Sequence, residues 1–182
     1  NTFLLKKRIT EMEINLIKIY IAGPDVFEKN AKQIGINLKK ICTRYGFEGL
    51  YPLDNEIEFT TKKETAKIIY EANINLIKQA DIIIANLNDF RGKEADSGTV
   101  WECGYASALG KTVYAYMNNT DTYINRFQEN EKYLDKEVSV YVDKMDKIIE
   151  DFDLPINLML GCSIKNIIQG DFEDVIKYIS KI

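Results

Sequence analysis

The run Asp81-Ile82-Ile83-Ile84-Ala85-Asn86 constrains the fold more than any other stretch of the chain. Its apolar, β-branched centre offers no polar side to water, so it reads as a strand buried inside a sheet. A second such strand is Ile17-Lys18-Ile19-Tyr20-Ile21-Ala22, punctuated by Gly23-Pro24. Phe47 to Tyr51, closed by Pro52-Leu53-Asp54-Asn55, Thr112 to Tyr116 after Gly110, and Ile164 to Ile168 supply three more. Helical spacing fills the gaps. Ala31, Ile34, Leu38, Ile41, Cys42 and Tyr45 share one face of a helix that Gly46 ends. The same period returns between Lys63 and Ala80 and between Gly98 and Leu109, and a closing helix is expected from Phe172 to about Ile179. Strands alternating with helices in this way predict an α/β fold, a flavodoxin-like doubly wound parallel sheet of about five strands with helices on both faces. Ligands of such sheets bind beyond the carboxyl ends of the strands, where the strand order reverses.

A chain of 182 residues suffices for one compact domain, so residues 1–182 are read as a single unit with an N-terminal extension over 1–16. Residues 118–153 alternate charges of both signs with scattered aromatics and read as a polar, solvated insertion, partly helical. Formal net charge is -4 and the cations are dispersed among acids, which argues against a nucleic-acid partner and for a small substrate. No apolar run approaches bilayer length, and Asn1 to Lys18 mixes Lys, Arg and Glu too freely for a secretory signal, so no membrane partner and a cytoplasmic location are expected. Cys42, Cys103 and Cys162 have neither disulfide nor metal spacing and are expected as small buried hydrophobes. The sequence contains no histidine. That removes the commonest general base and metal ligand together, and leaves carboxylates, amides, hydroxyls and thiols to do any chemistry.

Asp96-Ser97-Gly98-Thr99-Val100-Trp101-Glu102-Cys103-Gly104 follows the third strand and its loop. Asp96 or Ser97 can cap the helix, which sets Glu102 little more than a turn inside it. A carboxylate there feels the positive end of the helix dipole and is expected to stay ionised at neutral pH, as a carboxylate nucleophile requires. The plain alternative is an exposed Glu that only complements the dipole. At the end of the first strand Gly23 lets a ligand approach the backbone and Phe27 offers a flat apolar face. The multi-glycine pattern of a dinucleotide or P-loop site is missing.

Five segments occur in the order and approximate spacing of nucleoside 2-deoxyribosyltransferases: Tyr20 to Phe27, Tyr51 to Asn55, Asn73 to Asp81, Asp96 to Gly104, and Pro155-Ile156-Asn157-Leu158-Met159. The chain resembles that family over most of its length from Lys18 onward, and most nearly the protozoal form, in which the Asp-to-Glu loop follows Phe90-Arg91-Gly92. The resemblance implies that Glu102 is the nucleophile, that Tyr20 orients its carboxylate, and that Asp96 holds the sugar hydroxyls or helps to move a proton. It implies that Gly23 permits close approach and that Phe27 packs on the base. Asp54, Asn73 and Gly98 join these as substrate-binding positions, and Asn157 and Met159 resemble residues lent to a neighbouring subunit's site. Each has a plain alternative: Tyr20 and Phe27 as core aromatics, Asp96 as a cap, Asn157 as a turn residue. Asn73 departs from the lactobacillal broad-specificity members, which carry an Asp there. An amide supplies no acidic proton at neutral pH, so the leaving base must be protonated otherwise.

What the resemblance implies is transfer of a 2-deoxyribosyl group between nucleobases, with retention and through a covalent glutamyl ester, in nucleoside salvage. No cofactor or metal is expected. The partners are deoxynucleosides and nucleobases, and the assembly a homodimer or higher homo-oligomer with shared active sites. Two rivals are a 2-deoxynucleoside 5-monophosphate N-glycosidase and a non-catalytic nucleotide-sensing or receiver-like domain. The first needs a phosphate cradle where Pro24-Asp25-Val26 stands. The second needs a phosphoacceptor Asp where Asn86 and Asn88 stand.

Overall fold

The computed structural model describes residues 16–55 and 60–182. The expected N-terminal extension lies outside them except for its last residue. The main sheet has five parallel strands in the order β2-β1-β3-β4-β7, where β1 is Lys18–Ala22, β2 Glu48–Leu50, β3 Ile82–Asn86, β4 Thr112–Met117 and β7 Asn166–Gln169. Counted within this sheet alone, that is the flavodoxin-like 2-1-3-4-5 order expected from the sequence. The order reverses between β1 and β3, where Tyr20 pairs in register with Ile83.

Five α-helices are described: α1 Ala31–Arg44, α2 Lys62–Gln79, α3 Ser97–Ala108, α4 Leu158–Ser163 and α5 Phe172–Ile179. The pleat sends alternate strand residues to opposite layers. Tyr20, Ala22, Ile83, Ala85, Val113, Ala115 and Met117 pack with Ile77 of α2, Cys103 and Ala106 of α3 and Leu160 of α4. Ile19, Ile21, Ile84, Tyr114 and Tyr116 pack with Cys42 of α1 and with Val175, Ile176 and Ile179 of α5. Both faces of the sheet are thereby covered, which is why its strands carry so few polar residues. The fifth strand starts two residues later than the Ile164 expected, because Ile164 caps α4 and turns into the core beneath it.

Two expectations are corrected. The helical part expected within residues 118–153 is confined to a 3-10 helix at Tyr123–Arg126, and the segment otherwise carries an antiparallel ribbon the sequence did not suggest, β5 Lys132–Asp135 with β6 Val140–Asp143. Ser139 adopts φ 57° in the reversal between the two strands. Cys162 is exposed, unlike Cys42 and Cys103, because the short surface helix α4 buries Leu160 and turns Cys162 outward.

Candidate active site

Tyr20 is fully buried in β1, and its hydroxyl donates to Glu102 Oε1 at 2.6 Å. The two roles open for Tyr20 therefore coincide: its ring is core and its hydroxyl holds a carboxylate. Asp96 settles where α3 begins, since its Oδ2 accepts from both the backbone N–H and the hydroxyl of Thr99, each at 2.9 Å, with both residues buried. Glu102 is then the sixth residue of α3, near Cys103 and Ala106 on the side packed toward the sheet.

That placement overturns the expected low pKa. Glu102 is pushed up to about 7, first by burial and further by the negative charge of Asp96, while the hydrogen bond from Tyr20 pulls it down. The helix dipole acts on the first turn and fades beyond it, so desolvation wins. Burial and the adjacent Glu102 raise Tyr20 well above the ordinary phenol range, so Tyr20 stays protonated and remains a donor.

Glu102 opens on a cavity of about 530 Å³ lined also by Tyr70, Asn73, Ile74, Ile77, Gly98 and Trp101. Asn73 also lines a second cavity of about 610 Å³, with Tyr51, Leu53, Asp54, Asn55 and Ile69 among its walls. Tyr51 Oη, Asn55 Nδ2 and Asn73 Oδ1 are buried without a hydrogen-bond partner among the described residues. Buried polar atoms left unpaired are costly, and three around one cavity suit a polar ligand.

The remaining predicted residues are distributed unevenly. Gly23 lies at the end of β1, where an added Cβ would come within 2.9 Å of Asn86 Cβ, so this position has no room for a side chain. Phe27 is exposed and stacks on Phe90 with ring centroids 5.4 Å apart, and the Arg91 guanidinium lies over both rings. Asp54 borders the second cavity, but its carboxylate accepts from the Tyr51 N–H and from Lys39. Asn157 caps α4, and Met159 is three-quarters exposed; neither lines the Glu102 cavity of its own chain.

Sequence reading missed Tyr70, Ile74, Ile77 and Trp101. The signal was present: Tyr70, Asn73, Ile74 and Ile77 recur at helical spacing, so an amide sits on an otherwise apolar face, and Trp101 adjoins Glu102. Among the described residues no group of three or more Cys, Asp and Glu side chains is arranged to hold a metal, and no helix is long and apolar enough to cross a membrane.

A family profile described as Nucleoside 2-deoxyribosyltransferase matches residues 19–159, a stretch that includes Tyr20, Asp96, Glu102 and Met159. A 2-desoxiribosyltransferase from Leishmania mexicana is similar in structure at TM-score 0.72 and 31% identity, covering 90% of this chain and 97% of that one. A 2-deoxyribosyltransferase from Bacillus psychrosaccharolyticus shares the fold at TM-score 0.56 and 22% identity, over 88% of this chain and 91% of that one. An uncharacterized protein of Schizosaccharomyces pombe is 31% identical over 118 residues, which span 63% of this chain and 56% of that protein. On the profile match and the shared architecture together, this chain belongs to the nucleoside 2-deoxyribosyltransferase family.

Proposed function

We propose that the chain exchanges nucleobases on 2-deoxyribose through a covalent ester on Glu102. The observation that carries this reading is a buried phenol donating at 2.6 Å to a carboxylate that lines a cavity, within the stretch matched by the family. Tyr20 engages Oε1 and leaves the other oxygen of Glu102 to attack. That oxygen bonds to C1 of the sugar as the glycosidic bond breaks, and the base leaves with the bonding electrons and takes up a proton. A nitrogen of the second base then attacks C1, the ester bond breaks, the carboxylate returns, and the incoming base sheds a proton equivalent to the one gained. Two inversions give retention, and the kinetics are ping-pong. The reaction balances without metal or redox cofactor.

In this reading Asp96 orients the sugar hydroxyls or moves a proton, Gly23 and Gly98 let the substrate approach the backbone, and Phe27 packs on the base. Asn73, facing both cavities, reads the base with its amide, and Asp54 shapes the turn beside it. Asn157 and Met159 serve a neighbouring subunit, a role supported by their exposure and by the lining of their own chain's Glu102 cavity, which does not include them. In the same reading the exchange serves deoxynucleoside salvage in the cytoplasm. Asp25 is the main obstacle to a 5-phosphorylated substrate: its carboxylate accepts from Asn86 at the end of the sheet and would repel a phosphate.

Incubation with deoxyinosine and adenine should yield deoxyadenosine and hypoxanthine, unchanged by chelators. Free deoxyribose as the only product, a need for phosphate as acceptor, or preferred cleavage of 5-monophosphates would overturn the proposal. Mass spectrometry after quenching with donor alone should find a deoxyribosyl adduct on the peptide carrying Glu102.

A further inference from the structure

The ribbon insertion ends on a carboxylate that no part of the reaction so far has used. β6 hands the chain to Ile149, whose side chain is buried and whose N–H donates to the Tyr141 carbonyl at 2.8 Å, so the backbone at Glu150 is anchored. From there Glu150 Oε1 accepts from Asn157 Nδ2 at 2.7 Å, and Oε2 accepts from the Leu158 N–H at 2.8 Å. The other end of the Asn157 amide is also engaged: Oδ1 accepts from the Met159 N–H at 3.0 Å.

These contacts fix which way the amide points. Both Glu150 oxygens act as acceptors here, so the nitrogen end of Asn157 must face the carboxyl group. A flipped amide would set oxygen against oxygen at Glu150 and N–H against N–H at Met159. In the single orientation left, beyond these two contacts among the described residues, the amide keeps one N–H to donate and one oxygen lone pair to accept with, on an exposed side chain. That pairing suits a sugar hydroxyl, which both gives and takes a hydrogen bond.

We infer that Glu150 is a positioning residue for Asn157, fixing the amide that each subunit lends to its neighbour's sugar. The inference rests on the shared-site reading given above. Without Glu150, the cap on the Met159 N–H alone holds the amide at the start of a six-residue surface helix, and the substrate must complete its ordering on binding. With Glu150 that order is already present. The insertion thus acts on the chemistry of a site to which its own chain does not contribute Glu102.

The test uses Glu150→Ala and Glu150→Gln. The alanine variant should lose about tenfold in kcat/KM. The glutamine variant, which keeps one acceptor but presents a donor to the other N–H, should fall between it and wild type and serves as the test if the alanine variant does not fold. Because Glu150 acts only through Asn157, Glu150→Ala should slow an Asn157→Ala enzyme no further. Co-expression adds a directional readout. Glu102→Ala mixed with Glu150→Ala should recover about a quarter of wild-type activity, as Glu102→Ala mixed with Asn157→Ala should, because one site of each mixed pair is intact under two-fold symmetry. Glu150→Ala mixed with Asn157→Ala should recover none. Wild-type turnover in Glu150→Ala, an additive loss on the Asn157→Ala background, or failure to complement Glu102→Ala when Asn157→Ala succeeds would overturn the role of Glu150 alone. Failure of both pairs, with tagged mixed oligomers present, would instead remove the shared-site reading beneath it.

Discussion

Glu102 works in conflict with its surroundings, and pH exposes the conflict. A nucleophile must be ionised, and its carboxyl is held at about 7, so kcat/KM should rise with pH and level off above about 7. Tyr20 lowers that value by donating to the carboxylate. Tyr20→Phe should therefore move the acid limb to higher pH and cut turnover roughly tenfold to a hundredfold near neutrality; a pH–rate profile of both enzymes checks this, and an unmoved limb would count against the contact. Stability carries the opposite sign. Because the folded value lies above the ordinary 4.5, the folded state favours the protonated form, and that advantage is lost as pH rises through 7. Above 7 the ionised group costs roughly 3 kcal/mol, so Glu102→Gln should melt higher than wild type at pH 8, with most of the gain gone by pH 5. The family resemblance pointed to Tyr20 and Glu102 together, and the structure brings the two into hydrogen-bond contact. The ionisation of Glu102 was not legible, since desolvation is set by residues such as Tyr20 that lie far away in sequence.

At the level of elements, the insertion is a brace. The Arg126 side chain, only 5% exposed, donates to the carbonyls of Lys93 and Pro155, each at 2.5 Å, and pairs with Asp89. It thereby ties the loop before α3 to the segment before α4. Arg126→Ala leaves two carbonyls unpaired and should cost about 3 kcal/mol in urea unfolding, with faster amide exchange across residues 89–96. Packing between α1 and the turn after β2 is equally tight. A Cβ at Gly35 would stand 2.3 Å from the Tyr51 ring, so Gly35→Ala should destabilise by about 1 to 3 kcal/mol. The main-sheet strands and every helix packed on them except the six-residue α4 were readable to within a residue or two, because burial on both faces writes long apolar runs. β5 and β6 were not readable: Tyr133, Leu134 and Tyr141 are exposed on an open ribbon, so no buried face imposes a period on the sequence.

Across the whole molecule, the site gathers where the winding reverses, with β1 supplying Tyr20 and the helix after β3 supplying Glu102. A site completed by Asn157 from another chain needs at least two chains, so sedimentation should find a dimer or larger assembly at assay concentrations, and activity should fall on dilution below its dissociation constant. The aromatic cluster beside the nucleophile also has an optical consequence. Trp101 is the chain's sole tryptophan, and it stacks on Tyr105 at 5.2 Å and meets Tyr70 edge-on at 5.7 Å, all next to the residue expected to carry the sugar. All tryptophan emission therefore originates within the catalytic cavity wall. Donor without acceptor should change that emission in one fast phase, acceptor should restore it in a second, and Trp101→Phe should abolish both. The protein then reports each half of its own turnover, with no label attached.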